Sequence, residues 1–419
     1  MSSFSHSSTY LKRHQEAALM EALADTPVVC ILGPRQCGKS TMAQNADPER
    51  TYISLDDPNS FQFASLDPKG FIGELPETVI IDEIQRVPEL TLAIKQSVDA
   101  NRKPGRFLLT GSADLLHLPR LSDSLAGRME WIELQPFSEA EKEGAQGRFL
   151  EQWLSGMLHT EISSTVPPQK STLPGRVVAG GYPEACRRAP ARARQWQEQY
   201  LRSIIERDIQ DISQIRDGGD IRRLLEYLSH QSGQLLNVAE TSNALGHTRA
   251  TVEKYISVLE KLYLLRRLPA WHRNVQKRLV KTPKLHLCDS GLAAALAGIN
   301  ENTWTADRSA FGHLLESFII QQVHIQAGLL GTPTRLWHYR DKDKVEVDCV
   351  LTQDRSTWGI EIKAAATVSP SDTRGLRRLA EQTGKDFHGG IVFYDGGTIL
   401  PLDRDLKLYA VPISKLWEL

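Results

Sequence analysis

No stretch of this sequence is apolar for anything near the ~20 residues that cross a bilayer. The first residues, MSSFSHSSTY, lack the charged-then-apolar pattern of a secretion signal. Cysteine is scarce: five residues, Cys30, Cys37, Cys186, Cys288 and Cys349, with no CxxC pair and one left over from any complete pairing. That argues against a disulfide scaffold or a zinc-finger site and for a reducing compartment. Net charge is nearly absent as well, at −1, so any affinity for nucleic acid must be local. The expectation is a soluble cytoplasmic protein without a membrane partner. Its 419 residues suggest roughly two to four domains.

What the chain does contain is a phosphate cradle. Val28-Val29-Cys30-Ile31-Leu32 reads as a buried strand that stops at a tight turn. Gly33-Pro34-Arg35-Gln36-Cys37-Gly38-Lys39-Ser40-Thr41 follows and satisfies G-x-x-x-x-G-K-[ST] at every defined position. Gly33 and Gly38 let backbone N–H groups curl around phosphate oxygens, where side chains would obstruct. Lys39 reaches the β- and γ-phosphates, Ser40 offers a hydroxyl to Mg²⁺, and the helix starting near Lys39 turns its positive end to the same anion.

Three later strands complete a nucleotide-hydrolysing arrangement. Val79-Ile80-Ile81 ends in Asp82-Glu83. Asp82 is placed to hold Mg²⁺ (the Walker B position), and Glu83 to polarise a water for in-line attack. Phe107-Leu108-Leu109-Thr110-Gly111-Ser112 ends in hydroxyls, so Thr110 or Ser112 is the candidate to orient that water. Arg128, before the strand Trp131–Leu134, is the candidate arginine finger. Leu11 to Ala24 has helical composition. Strands alternating with helices, with the phosphate loop after the first strand, predict an α/β fold with a parallel-sheet P-loop NTPase core and ligand at the strand C-termini.

The run GPRQCGKST, YISLDDP, VIIDEIQRVPEL, RFLLTGSADLL and LAGR resembles the AAA+-type ATPases of bacteria and archaea. More narrowly, it is similar to the subfamily that carries a C-terminal restriction-endonuclease-like domain. The resemblance implies ATP binding, slow hydrolysis, a helical lid after the core and a winged helix beyond it. Cys37 departs from the small residue usual in such loops.

In the middle of the chain, Asn237-Val238-Ala239-Glu240 is a capping box opening a short helix that Gly246 ends. Thr248 caps a second helix with Val252, Tyr255, Ile256 and Leu259 on one face. This is the form of a helix-turn-helix, with Tyr263–Leu268 as a strand of the wing. From Lys261 to Cys288 there are eight basic residues (Lys261, Arg266, Arg267, Arg273, Lys277, Arg278, Lys281 and Lys284) and no acidic one. Such a bias is a candidate footprint for a DNA backbone.

Towards the C-terminus, the constellation Glu316, Asp348 and Glu361-x-Lys363 resembles the active site of PD-(D/E)XK nucleases. Period 2 puts Glu361 and Lys363 on one strand face, with Asp348 on the neighbouring strand. Asp348 and Glu361 are hard-oxygen ligands for Mg²⁺, Lys363 a group to activate water, and Glu316 an outer carboxylate at the rim of its helix stripe. Val347 stands where the motif's name has proline.

The expected organisation is an ATPase core over 1–137, a connection and helical lid over 138–220, a winged helix over 221–285 and a nuclease-like α/β domain over 286–419. The expected function is Mg²⁺-dependent ATP hydrolysis coupled to DNA binding or processing. The alternatives are an ATP-gated, metal-dependent DNA nuclease and a nucleotide-binding scaffold that engages only proteins. A trans-acting Arg128 would require a homo-oligomer.

Overall fold

A computed structural model of the protein describes residues 10–111, 125–157, 172–208, 218–274 and 282–418. Ser112, Lys277, Arg278 and Lys281 lie outside them. The apolar runs become strands β1 (Val28–Leu32), β3 (Val79–Asp82) and β4 (Phe107–Gly111), each buried along its full length. With β2 (Thr51–Ser54) and β5 (Met129–Glu133) they form a parallel sheet in the order β2-β3-β4-β1-β5. Because β4 lies between β1 and β3, the ends of these three strands form one continuous rim.

Strand alternation sends side chains to two cores. Val29, Ile31, Ile80 and Leu108 pack with Leu19 and Leu23 of α1 (Glu16–Asp25) and Met42 of α2 (Lys39–Ala46). Val28, Cys30, Ile81 and Leu109 pack on the other side. They meet α3 (Pro58–Leu66), α4 (Pro68–Glu74) and α5 (Leu90–Ala100) through Ala64, Phe71 and Ile94. Helix α1 begins at Glu16, not Leu11. Residues 11–15 instead form an arm across the phosphate loop, held by the Arg13 side chain, whose partners are Cys37, Gln135 and Glu141.

Beyond β5 come α6 (Glu139–Glu143), opened by a Ser138–Glu141 capping box, and α7 (Phe149–Leu154). Then follow α8 (Leu173–Ala179), α9 (Pro183–Cys186) and α10 (Pro190–Ser203). The middle unit contains α11 (Gly218–Ser229), β6 (Gln234–Leu235), α12 (Val238–Leu245) and α13 (Arg249–Lys261). It continues with β7 (Leu265–Leu268) and β8 (Lys284–Leu287). Its sheet is antiparallel, in the order β6-β8-β7. Asn237 caps α12 by accepting the Glu240 N–H, and its own side-chain amide donates to the Glu240 carboxylate at 3.1 Å. Thr248 caps α13.

Helices α14 (Ser290–Ala297) and α15 (Thr303–Ala306) lead to the long α16 (Arg308–Ala327). Next come β9 (Arg335–Arg340), β10 (Glu346–Gln353), β11 (Ser356–Lys363), α17 (Arg374–Thr383), β12 (Phe387–Tyr394), β13 (Leu400–Asp403), β14 (Leu408–Pro412) and α18 (Lys415–Glu418). The second large sheet runs β13-β14-β12-β11-β10-β9. β9, β10 and β11 are antiparallel, and β11, β12 and β14 are parallel. Leu376 and Leu379 of α17 cover one face with Val347 and Val392. Leu315 and Phe318 of α16 belong to the core of the other face, with Cys349, Ile360 and Phe393.

That second core continues without a break through α7, α8, α10, α11 and α13. Buried glutamines fix α16 to the segment leaving the first sheet. Gln322 accepts from the Glu139 N–H and Gln326 from the Leu150 N–H, both at 2.8 Å. A buried amide left without such a partner is costly, so these bonds specify one docking position.

Candidate active site

The phosphate loop takes its shape from two glycines. Gly33 has φ +155°, and a Cβ there would collide with the Leu134 carbonyl. Gly38 has φ +102° and opens α2. Between them Cys37 is fully buried, its thiol directed at the Leu134 carbonyl 3.4 Å away. Burial pushes that thiol up from its ordinary range, so a cysteine fits here as an inert core residue facing away from phosphate. Lys39 lies along the loop, donating to the carbonyls of Gly33 at 3.0 Å and Pro34 at 2.9 Å.

At the strand rim, Asp82 is the hub. Its Oδ1 accepts from the Ser40 hydroxyl at 2.6 Å and from the Thr110 hydroxyl, and its Oδ2 accepts from Tyr52 at 2.7 Å. This is the donor set that a hard divalent cation beside a phosphate needs, so Ser40 and Asp82 fit Mg²⁺. Glu83 follows in the left-handed region at φ 58°, its N–H bonded to Thr110 Oγ1 at 3.3 Å and its carboxylate to the Gln85 amide. Thr110 therefore joins Asp82 to Glu83. A cavity of about 470 Å³ is lined by Gln36 to Thr41, Glu83, Arg187, Arg188 and Trp196.

Two further elements reach this cavity. Arg13 donates to the Cys37 carbonyl at 2.9 Å, the Gln135 carbonyl at 2.6 Å and Glu141 at 3.0 Å, with its guanidinium over the Phe137 ring. From the helices after β5, Arg187 and Arg188 line the cavity, and Tyr200 of α10 donates to the Arg35 carbonyl at 3.1 Å.

Of the four C-terminal residues, Glu316 and Asp348 meet at a protein cation. Lys284 of β8 is buried, with its ammonium 2.8 Å from Glu316 Oε1, 3.3 Å from Asp348 Oδ1 and 3.8 Å from Glu346 Oε2. The other Asp348 oxygen accepts the Ile362 N–H at 2.9 Å. Glu361 Oε2 lies 3.8 Å from Lys363. Glu316 is buried rather than at the rim of its stripe; burial and then the Asp348 charge push it up to about 8 against the pull of Lys284. Burial and Asp348 likewise raise Glu361 well above the ordinary carboxylate range. Burial works against the charge of Lys284, but Glu316 and Asp348 outweigh it and hold its pKa above the usual lysine value.

Where the expectation had Mg²⁺ on Asp348 and Glu361, both oxygens of Asp348 are engaged by protein groups, an ammonium and an amide. Among the described residues no group of three or more His, Cys, Asp or Glu side chains could hold a metal ion.

With this geometry in hand, comparison with known proteins places the chain. The uncharacterized proteins Mb2031c of Mycobacterium bovis and Rv2008c of Mycobacterium tuberculosis are each 30% identical over 371 residues, 87% of this chain and 76% of theirs. The chain belongs to their family. A profile for an AAA domain matches residues 25–142, the stretch that carries the loop and the Asp82 hub. Two profiles described as domains of unknown function, DUF8612 and DUF4143, match residues 170–303 and 311–416. Similar solved structures include the Walker-type ATPase PABY2304 of Pyrococcus abyssi, at 16% identity over 68% of this chain and 96% of that one, TM-score 0.41. A variant of Thermotoga maritima RuvB is 18% identical over 61% of this chain and 88% of that one, TM-score 0.30.

Within the AAA domain one expected residue is displaced. Arg128 precedes Met129, which pairs with Val28 at the start of β1, and its carbonyl accepts the Val28 N–H at 3.2 Å. The phosphate loop follows Leu32 at the other end of that strand. Arg128 is ion-paired with Asp99 at 2.6 Å and so cannot serve as a finger for the nucleotide of its own chain. Three described residues of the basic stretch are engaged within the protein. Arg266 donates to Gln321, Arg267 to Glu253, and Lys284 occupies the carboxylate cluster. Trp271 is buried against Tyr339. Among the described residues no helix is long and apolar enough to cross a membrane.

Proposed function

We propose that the protein is an Mg²⁺-dependent ATPase, and the observation that carries this is the convergence of Ser40, Thr110 and Tyr52 on Asp82 beside the loop. Loop N–H groups and the α2 N-terminus hold the phosphates. Lys39 exchanges its bonds to the Gly33 and Pro34 carbonyls for phosphate oxygens. Ser40 and Asp82 would hold the Mg²⁺, which would supply positive charge to offset the negative charge developing on the phosphates. Thr110 fixes Glu83 through its backbone N–H. Glu83 takes the proton of the attacking water, and the new bond forms between that oxygen and the γ-phosphorus as the bond to the β-phosphate oxygen breaks. Phosphate release from ATP is expected in the presence of Mg²⁺, and neither EDTA-treated protein nor Lys39→Ala should retain it. Release by Lys39→Ala at the wild-type rate would refute the assignment.

A second element concerns the middle unit, which we read as a winged helix from its order α11-β6-α12-α13-β7-β8 and its three-stranded antiparallel sheet. We read the C-terminal unit as restriction-endonuclease-like, since α16, an antiparallel β9-β10-β11, α17 and a parallel β12 follow one another. Arg249 and Lys254 are exposed on α13, the second helix of the helix-turn-helix, which is the helix that enters the major groove in such modules. ATP hydrolysis coupled to duplex DNA is the reading this favours. Duplex binding should weaken steeply between 50 and 200 mM salt, and the double change Arg249→Ala, Lys254→Ala should flatten that slope. Affinity independent of salt would instead leave a scaffold for proteins.

A further inference from the structure

The C-terminal carboxylates already have a cation. Lys284 enters from β8 of the middle unit and is 3% exposed. It bonds Glu316 on α16 and Asp348 on β10, with Glu346 next nearest. An ammonium offers three donors to such oxygens, whereas Mg²⁺ demands near-octahedral oxygen ligation at about 2.0–2.1 Å and retains several waters. The backbone packs closely against these carboxylates. The middle unit's turn at Gly233 packs on Glu316, where a Cβ would come 3.3 Å from Oε2. Across the site, a Cβ on Gly375 would collide with Glu361 Oε1.

The strand bearing Lys284 is itself fastened to the C-terminal sheet. Trp271 donates its N–H to the His338 carbonyl at 2.6 Å, and His338 donates its own N–H to the Pro269 carbonyl at 2.9 Å. The His338 ring nitrogen lies 3.0 Å from the Thr282 carbonyl, two residues before Lys284. Segments on both sides of the basic connection between β7 and β8 are thus pinned to β9, which holds the backbone of Lys284 beside the cluster.

We infer that Lys284 is the resident cation of this cluster: its ammonium takes the place of a divalent ion, locks the middle unit to the C-terminal sheet, and closes the carboxylates to metal for as long as β8 stays docked. This rests on reading the C-terminal unit as restriction-endonuclease-like, and metal binding rather than DNA cleavage separates the two. Mn²⁺ bound to the full chain without nucleotide would be counted by electron paramagnetic resonance in wild type, Asp348→Asn, Lys284→Arg, Lys284→Met and the double change Lys284→Met, Asp348→Asn.

Wild type, Asp348→Asn and Lys284→Arg should bind the same number of ions. Lys284→Met should gain one, and the double change should lose it again. An Asp348-dependent ion in wild type would overturn the lock while leaving the nuclease-like reading intact. No gain in a Lys284→Met protein that still binds ATP would overturn both. Should Lys284→Met fail to fold, wild type against Asp348→Asn still decides the matter.

Discussion

Replacing Glu83 with glutamine should lower ATP turnover by roughly 10²–10⁴-fold, the usual contribution of a positioned general base, while ATP still binds. The separation is expected because the two parts of Glu83 do different things. Its backbone N–H is bonded to Thr110 and keeps the strand end in place, and glutamine preserves that bond. Its carboxylate faces the cavity with the loop, and only an ionised oxygen can accept a proton from water. Single-turnover phosphate release alongside equilibrium ATP binding would show both halves. Turnover within twofold of wild type would remove Glu83 from the chemistry.

Arg13→Ala should be the most damaging change outside the loop, in stability and in ATP affinity together. Arg13 and Glu141 are almost completely enclosed, with side-chain exposures of 3% and 2%. Removing one partner of such a pair strands a buried charge and typically costs about 3–5 kcal/mol. The same change frees the Cys37 carbonyl within the phosphate loop, so affinity for ATP should also drop, by about tenfold for each 1.4 kcal/mol of loop ordering lost. Arg13→Lys should recover little, because an ammonium cannot span the carbonyls of Cys37 and Gln135 and the Glu141 carboxylate as the planar fork does. Denaturant unfolding combined with ATP titration would measure both effects. Wild-type values in both would contradict the role given to the arm.

The difference between what could and could not be read from sequence is one of range. The loop from Gly33 to Thr41 and the strand end at Asp82 were legible because local chemistry dictates the residue types at each position. Thr110 was legible as one of two hydroxyls, and the structure joins it to Asp82 and Glu83. Arg13 was not, since its carboxylate lies 128 residues away and composition extended α1 back over it. Arg128 stands just before a strand parallel to β1, so it lies at the end of the sheet away from its own chain's loop.

The basic bias from Lys261 to Cys288 was real, but charge counts cannot tell a solvated lysine from one matched to carboxylates. Lys284 meets Asp348 across 64 residues, a pairing visible only once β8 is set against β10. Glu316 and Asp348 meet at Lys284, a cation that was not foreseen.

The most direct test of the central claim, that the loop after β1 and Asp82 together hold Mg²⁺-ATP, is a calorimetric titration of the folded protein with ATP, with and without Mg²⁺. A saturable heat that Mg²⁺ strengthens and Lys39→Ala abolishes is the predicted result. Absence of heat in wild type with Mg²⁺ present, or an undiminished isotherm in Lys39→Ala, would contradict it.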